Sequence, residues 1–120
     1  MFKYYNVEPD GDSLPDCVIR AITTALDLPY YQVVEMLARN GSFYDCDAIC
    51  VDCYSKLLTH DLGLSHYIGG DAPVKQIAED FDEHIVLIRI EGHLTCAVFG
   101  IVLDTWDCTN KPCTDFWIVE

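Results

Sequence analysis

No stretch of this chain approaches the ~18 consecutive apolar residues that a membrane-spanning helix needs, which excludes a helical membrane protein. The first residues carry one lysine but no hydrophobic signal region and turn polar by Glu8, so the expected compartment is the cytosol. Basic residues are scarce: seven Lys and Arg stand against twenty Asp and Glu, a formal charge of −13. Nucleic-acid binders need basic patches, so that partner is excluded, and the same sign disfavours anionic membrane surfaces or polyanionic cell wall. Repeats, low-complexity tracts and linkers are missing, which leaves one domain spanning 1–120. Ser13, Ser42, Ser55 and Ser65 lie in no nucleophile elbow, and Gly69-Gly70 lacks the rest of a phosphate loop.

Cysteine, in contrast, is abundant. Seven of them would suggest a disulfide framework in a secreted chain, but the count is odd and no export signal is present. Reduced thiols, metal ligation or catalysis are then the expectation. With 51 % hydrophobic residues the chain is a packed globule and not a disordered tail.

One thiol has an unusual setting. Val18, Ile19, Ile22, Ala25 and Leu26 recur on one helical face, and at about 100° per residue Cys17 falls outside that stripe, beside Arg20, Ala21 and Thr24. Asp16 is a good N-cap residue, so the sulfur would lie in the first turn, where unpaired N–H groups and the helix dipole favour a thiolate. Burial as a small hydrophobe is the competing reading, because free cysteine is among the most buried residue types.

Further along, the patterning predicts a short strand within 2–7, a second helix over 30–39 stopped by Asn40-Gly41, a third over about 48–61, a strand at 64–68, and a fourth helix after Asp71 with Pro73 in its first turn. From His84 the period changes. Residues 85–90 form an apolar run suited to a strand covered on both faces, and 94–98, 101–105 and 116–119 follow between turn residues. Helices first and an antiparallel meander last make an α+β domain.

If Phe99-Gly100 centres the hairpin turn, Thr95 faces Asp104 and His93 faces Trp106, which makes His93 and Asp104 diagonal neighbours on one face. A slip of one residue would part them. A thiol becomes a nucleophile when a base takes its proton, and the base benefits from a group that fixes its tautomer. Cys17, His93 and Asp104 are the candidates for those three roles.

The stretch Asp16-Cys17-Val18-Ile19-Arg20-Ala21, with Gly92-His93-Leu94-Thr95-Cys96-Ala97-Val98 and Asp104-Thr105-Trp106-Asp107, resembles a family of small papain-like cysteine peptidases of bacteria and their phages. The resemblance implies a papain-like fold, N-terminal helices packed on a C-terminal antiparallel β-sheet, in a bacterial or phage-infected cell. It implies Cys17 as nucleophile, His93 as general base and acid, and Asp104 as the orienting carboxylate, acting on a peptide or isopeptide bond with no cofactor and no metal. Asp16 and Trp106 would support the site, Trp106 by packing beside the histidine and limiting water access, buried there at a truncation cost of roughly 3–5 kcal/mol. The glutamine that many members hold six residues before the cysteine is Gly11 here. The oxyanion would then be met by the Cys17 N–H and a second donor from the preceding loop. Asp16, next to the thiol, is expected to raise its pKa against the pull of His93. The alternative is a catalytically silent papain-like module that engages a host protein through its acidic surface.

Cys46, Cys50 and Cys53 fall at i, i+4 and i+7, one helical stripe continued by Leu57. Buried thiols fit that spacing, structural zinc fits it poorly, and a disulfide is the third possibility. Cys108 and Cys113 come later, and neither His60 nor His66 completes a metal site.

Overall fold

The structure is a computed structural model and describes residues 1–11 and 16–120. Strand β1 (Phe2–Tyr4) comes first, then helices α1 (Cys17–Leu26), α2 (Tyr30–Tyr44) and α3 (Val51–Lys56), the last continued by a π-helical turn, Leu57–Asp61. Strand β2 (Ser65–Ile68) and helix α4 (Val74–Asp80) lead into β3 (Ile85–Ile90), β4 (His93–Val98), β5 (Ile101–Asp104) and β6 (Asp115–Ile118). The architecture is α+β, four helices on a six-stranded sheet. Among the described residues, no helix is long and apolar enough to cross a membrane.

The apolar run of β3 is central because it is covered twice. Leu87 joins Leu94, Cys96 and Trp117 under Val18, Ile22 and Ala25 of α1. Val86, Ile88 and Ile90 join Ala97, Val102 and Phe116 under Val74, Ile77 and Ala78 of α4. Alternate residues of one strand thus feed two cores, which is why no polar residue interrupts 85–88.

The β4–β5 register is the expected one: Cys96 pairs with Leu103, Ala97 with Val102 and Val98 with Ile101. The turn at Phe99 and Gly100 has φ of 49° and 85°, positive at both central residues as a tight hairpin matched to strand twist requires.

The sheet is not an antiparallel meander. Its order is β1-β5-β4-β3-β6-β2, and β1 runs parallel to β5, with Phe2 against Val102. After β5 the chain crosses to the far side of β3, where β6 pairs with β3 through Leu87↔Trp117 and with β2 through His66↔Trp117. Period-two patterning identifies strands, but their order depends on which edges need covering. The sheet is therefore mixed, with its outer strands, β1 and β2, drawn from the chain ahead of the four central ones.

Helix α2 also differs from expectation, running through Asn40-Gly41 to Tyr44. Both residues are buried. Asn40 Nδ2 donates to the Cys53 carbonyl at 2.8 Å, tying α2 to α3. At Gly41 a Cβ would stand 2.9 Å from the Cys46 carbonyl oxygen, so the glycine serves close approach and not termination. Gly41→Ala should therefore destabilise the domain by about 1–3 kcal/mol through overpacking. In an open helix the same change stabilises by about 1 kcal/mol. A urea midpoint that rises would show that the Cys46 loop moves aside freely.

Helix α3 begins at Val51, so Cys46 lies outside it. Cys46 and Cys53 are joined as a disulfide, with Cα atoms 5.6 Å apart. The single stripe of reduced thiols is thereby corrected: the helix starts too late for it, and the preceding turn carries Cys46 back over Cys53.

Candidate functional site

Cys17 is the first residue of α1, His93 the first of β4 and Asp104 the last of β5. The tight β3–β4 connection fixes the histidine: Ile90 pairs with His93, and Gly92, at a φ of 72°, makes the turn between them. His93 thus stands at the end of the sheet, where the start of α1 packs on β4. A cleft of about 750 Å³ opens there, lined by Asp16, Cys17, Ile49, Cys50, His93 and Trp106 among others.

His93 Nε2 and Asp104 Oδ2 are hydrogen-bonded at 2.7 Å, the diagonal meeting expected from the register. The other carboxylate oxygen, Oδ1, accepts the Thr105 N–H at 2.7 Å. Cys17 lines the same cleft as His93, and the His93 side chain and the Leu94 backbone are among the groups that act on its thiol. The structure thus brings Cys17, His93 and Asp104 together in that order.

Burial by itself would raise the Cys17 thiol, but the hydrogen bond to His93, the Leu94 backbone and the charges of His93 and Arg20 hold it below the ordinary thiol value. Burial would lower His93, yet hydrogen bonds to Asp104, Cys108 and Cys17, with the Asp104 charge, push it up to about 11. Asp104 is desolvated too, and the bonds from His93 and the Thr105 N–H keep its carboxyl below the usual range. All three shifts favour thiolate, imidazolium and carboxylate side by side, a coupled set whose protons belong to the group.

Asp16 behaves differently from expectation. It precedes α1 but its side chain makes no capping bond. Its carboxylate, only 6 % exposed, is instead ion-paired with Arg20 and accepts the Tyr30 hydroxyl at 2.5 Å. Arg20 lies one turn further along α1, so the pairing is an i, i+4 contact that neutralises Asp16 before it can oppose the thiolate. Arg20 also donates from Nη2 to Thr105 Oγ1 at 3.3 Å and stands 3.8 Å from Asp104. Asp16 supports the site by anchoring a cation. The net shift of the thiol is downward, with the charges of His93 and Arg20 among its causes.

Trp106 stands beside His93, ring centroids 5.0 Å apart and nearly perpendicular. It is 46 % exposed, so the expected burial is overturned. Strand β5 ends at Asp104, and the chain leaves the sheet before Trp106 can be covered. The loop 12–15, expected to give a second oxyanion donor, lies outside the described residues.

Sequence reasoning missed Cys108, which is fully buried and touches His93. Its sulfur, a His93 ring nitrogen and an Asp104 oxygen all lie within 4.8 Å of one another. Asp107 Oδ1 accepts the Thr109 N–H at 3.1 Å and its hydroxyl at 2.6 Å, a local turn that folds Cys108 inward. Asp-Cys-Thr after a strand end was the signal, hidden by the grouping of Cys108 with the other cysteines. His66, dismissed as a ligand, pairs with Asp115 at 2.6 Å, and Arg89 Nε donates to the same carboxylate at 2.5 Å. That knot ties β2, β3 and β6 together.

No family model, curated protein or solved structure matches the chain.

Proposed function

We propose that this domain is a papain-like thiol hydrolase that cleaves a peptide or isopeptide amide through Cys17, His93 and Asp104. The observation that carries the reading is that Cys17 and His93 line one open cleft, with the His93 ring hydrogen-bonded to Asp104 Oδ2 at 2.7 Å and the thiol held below its ordinary value by His93. With Nε2 held by Asp104, Nδ1 is the ring nitrogen left for proton transfer. The Cys17 thiolate attacks the carbonyl carbon, and the backbone N–H at the start of α1 stabilises the oxyanion. The His93 imidazolium gives its proton to the leaving nitrogen as the C–N bond breaks, leaving a thioester on Cys17. Water then attacks that thioester, His93 takes the water proton, and the acid and the free thiol are released. Asp104 holds the ring and stabilises the imidazolium.

Activated peptide esters should leave an acyl group on Cys17, located by peptide mapping. Cys17→Ser should lower amide turnover by at least ~10³-fold while circular dichroism stays unchanged. An acyl group found on Cys50 instead, or turnover indifferent to Cys17→Ser, would refute the reading in favour of a silent module that binds through its acidic surface.

A further inference from the structure

Cys108 is a buried thiol for which the hydrolytic steps have no use, and it faces the two residues that already hold each other. We propose that His93, Asp104 and Cys108 form a site for a thiophilic divalent cation of the zinc class, which silences the thiol centre by occupying its histidine. The silencing, though not the binding, rests on the hydrolase reading.

The donor set is of the right kind. One imidazole, one carboxylate and one sulfur lie within 4.8 Å of one another. Three protein donors with a fourth position left open is the coordination of many zinc sites, and sulfur selects zinc, cadmium or cobalt over magnesium and calcium. Thiolate and carboxylate together cancel the charge of a divalent ion, which matters because Asp104 and Cys108 are 5 % and 0 % exposed. Around a tetrahedral ion with bonds of ~2.0–2.3 Å, neighbouring donors stand roughly 3.3–3.8 Å apart. The 2.7 Å His93–Asp104 contact therefore has to open by well under the width of an atom. Asp104 is already oriented for this, since the Thr105 N–H fixes Oδ1 and leaves Oδ2 facing the ring. Loading displaces the Cys108 thiol proton and the ring proton shared with Asp104, and both go to solvent. Entry is through the cleft, whose wall includes Gly92, His93 and Thr105.

The test uses the full chain, stripped of metal with its disulfide intact, and Co²⁺ as the only added ion. One Co²⁺ per chain should bind with sulfur-to-cobalt charge transfer in the near ultraviolet. The band should persist in Cys17→Ser and vanish in Cys108→Ser, with affinity lower by roughly 100-fold or more, beyond the 10–100-fold that outer-shell changes cost. Because Cys108 is fully buried, a second measurement leaves it in place: the ¹¹³Cd resonance of the loaded Cys17→Ser chain should report a single sulfur ligand. No band in the wild type, a band that follows Cys17 and not Cys108, or a cadmium site with no sulfur or several would each overturn the proposal. Zn²⁺ should also stop turnover, and a chelator should restore it. A chain that binds Co²⁺ through Cys108 yet hydrolyses nothing keeps the metal site and loses the hydrolase reading. A chain that hydrolyses and shows no band does the reverse.

Discussion

Haloacetamide should label Cys17 first among the five free cysteines, and its rate should remain appreciable at pH 6 in metal-free buffer. Cys96 and Cys113 are pushed up to about 12 by burial, which keeps them slow at any moderate pH. Cys50 is the informative control, since it lines the same cleft and access alone does not separate the two. The sign follows from the direction of the shift. A thiol held below its ordinary value stays ionised as pH falls, until the pH passes its folded pKa. An ordinary thiol of pKa ~8.5 is only about 0.3 % thiolate at pH 6, whereas one paired with histidine at ~3.5–7.5 ranges from a few per cent to nearly all. A thiolate of lower pKa is a weaker nucleophile, so the net gain at pH 6 is roughly 2–15-fold, largest where the thiol pKa lies near the working pH. His93→Ala removes both the hydrogen bond and the charge and should abolish that gain. Asp104→Asn should cost less, because it loosens the ring without deleting it. Equal rates at Cys17 and Cys50, unchanged in His93→Ala, would leave the cleft as a binding surface only.

How much of this centre was legible in the chain depends on the kind of constraint. Strand pairing is arithmetic: once Phe99-Gly100 is the turn, every partner across β4 and β5 follows, and with it the meeting of His93 and Asp104. The position of Cys17 was equally local, set by where the apolar period of α1 begins. Contacts made by chain crossing were not legible. Cys108 reaches His93 only because the chain after β5 turns inward at Asp107, and nothing in its spacing from Cys113 encodes that. The disulfide was hidden for a related reason. Cys46, Cys50 and Cys53 match a helical stripe, but the helix starts at Val51, and a period says nothing about where its first residue falls. Asp16 was misjudged because it was weighed by sequence adjacency to Cys17. Its carboxylate instead turns toward Arg20 and Tyr30.

The two tryptophans should separate sharply under truncation. Trp117→Ala is expected to destabilise the domain by about 3–5 kcal/mol, and Trp106→Ala by less than about 1 kcal/mol. Trp117 is 0 % exposed, lies on β6 where that strand joins β3 to β2, and stacks on the His66 ring at 4.6 Å. Its indole N–H donates to Thr59 Oγ1 at 3.0 Å, so truncation removes a large apolar volume and leaves that hydroxyl without its donor. Trp106 is nearly half in solvent and has the edge of one histidine ring as its aromatic neighbour. Paired urea titrations decide the matter, provided the m values agree and the midpoints alone differ. A comparable loss from Trp106→Ala would mean that its ring is buried against His93 and that the cleft is closed in solution. A small loss from Trp117→Ala would mean that the β3–β6–β2 half of the sheet is not the rigid part. Tyr54, which lines the cleft, packs against Trp117 with ring centroids 6.1 Å apart, but Trp117 itself does not line it. Trp117→Ala should slow Cys17 labelling only as far as it unfolds the chain. A loss of labelling larger than the unfolded fraction explains would place Trp117 among the residues that shape the cleft.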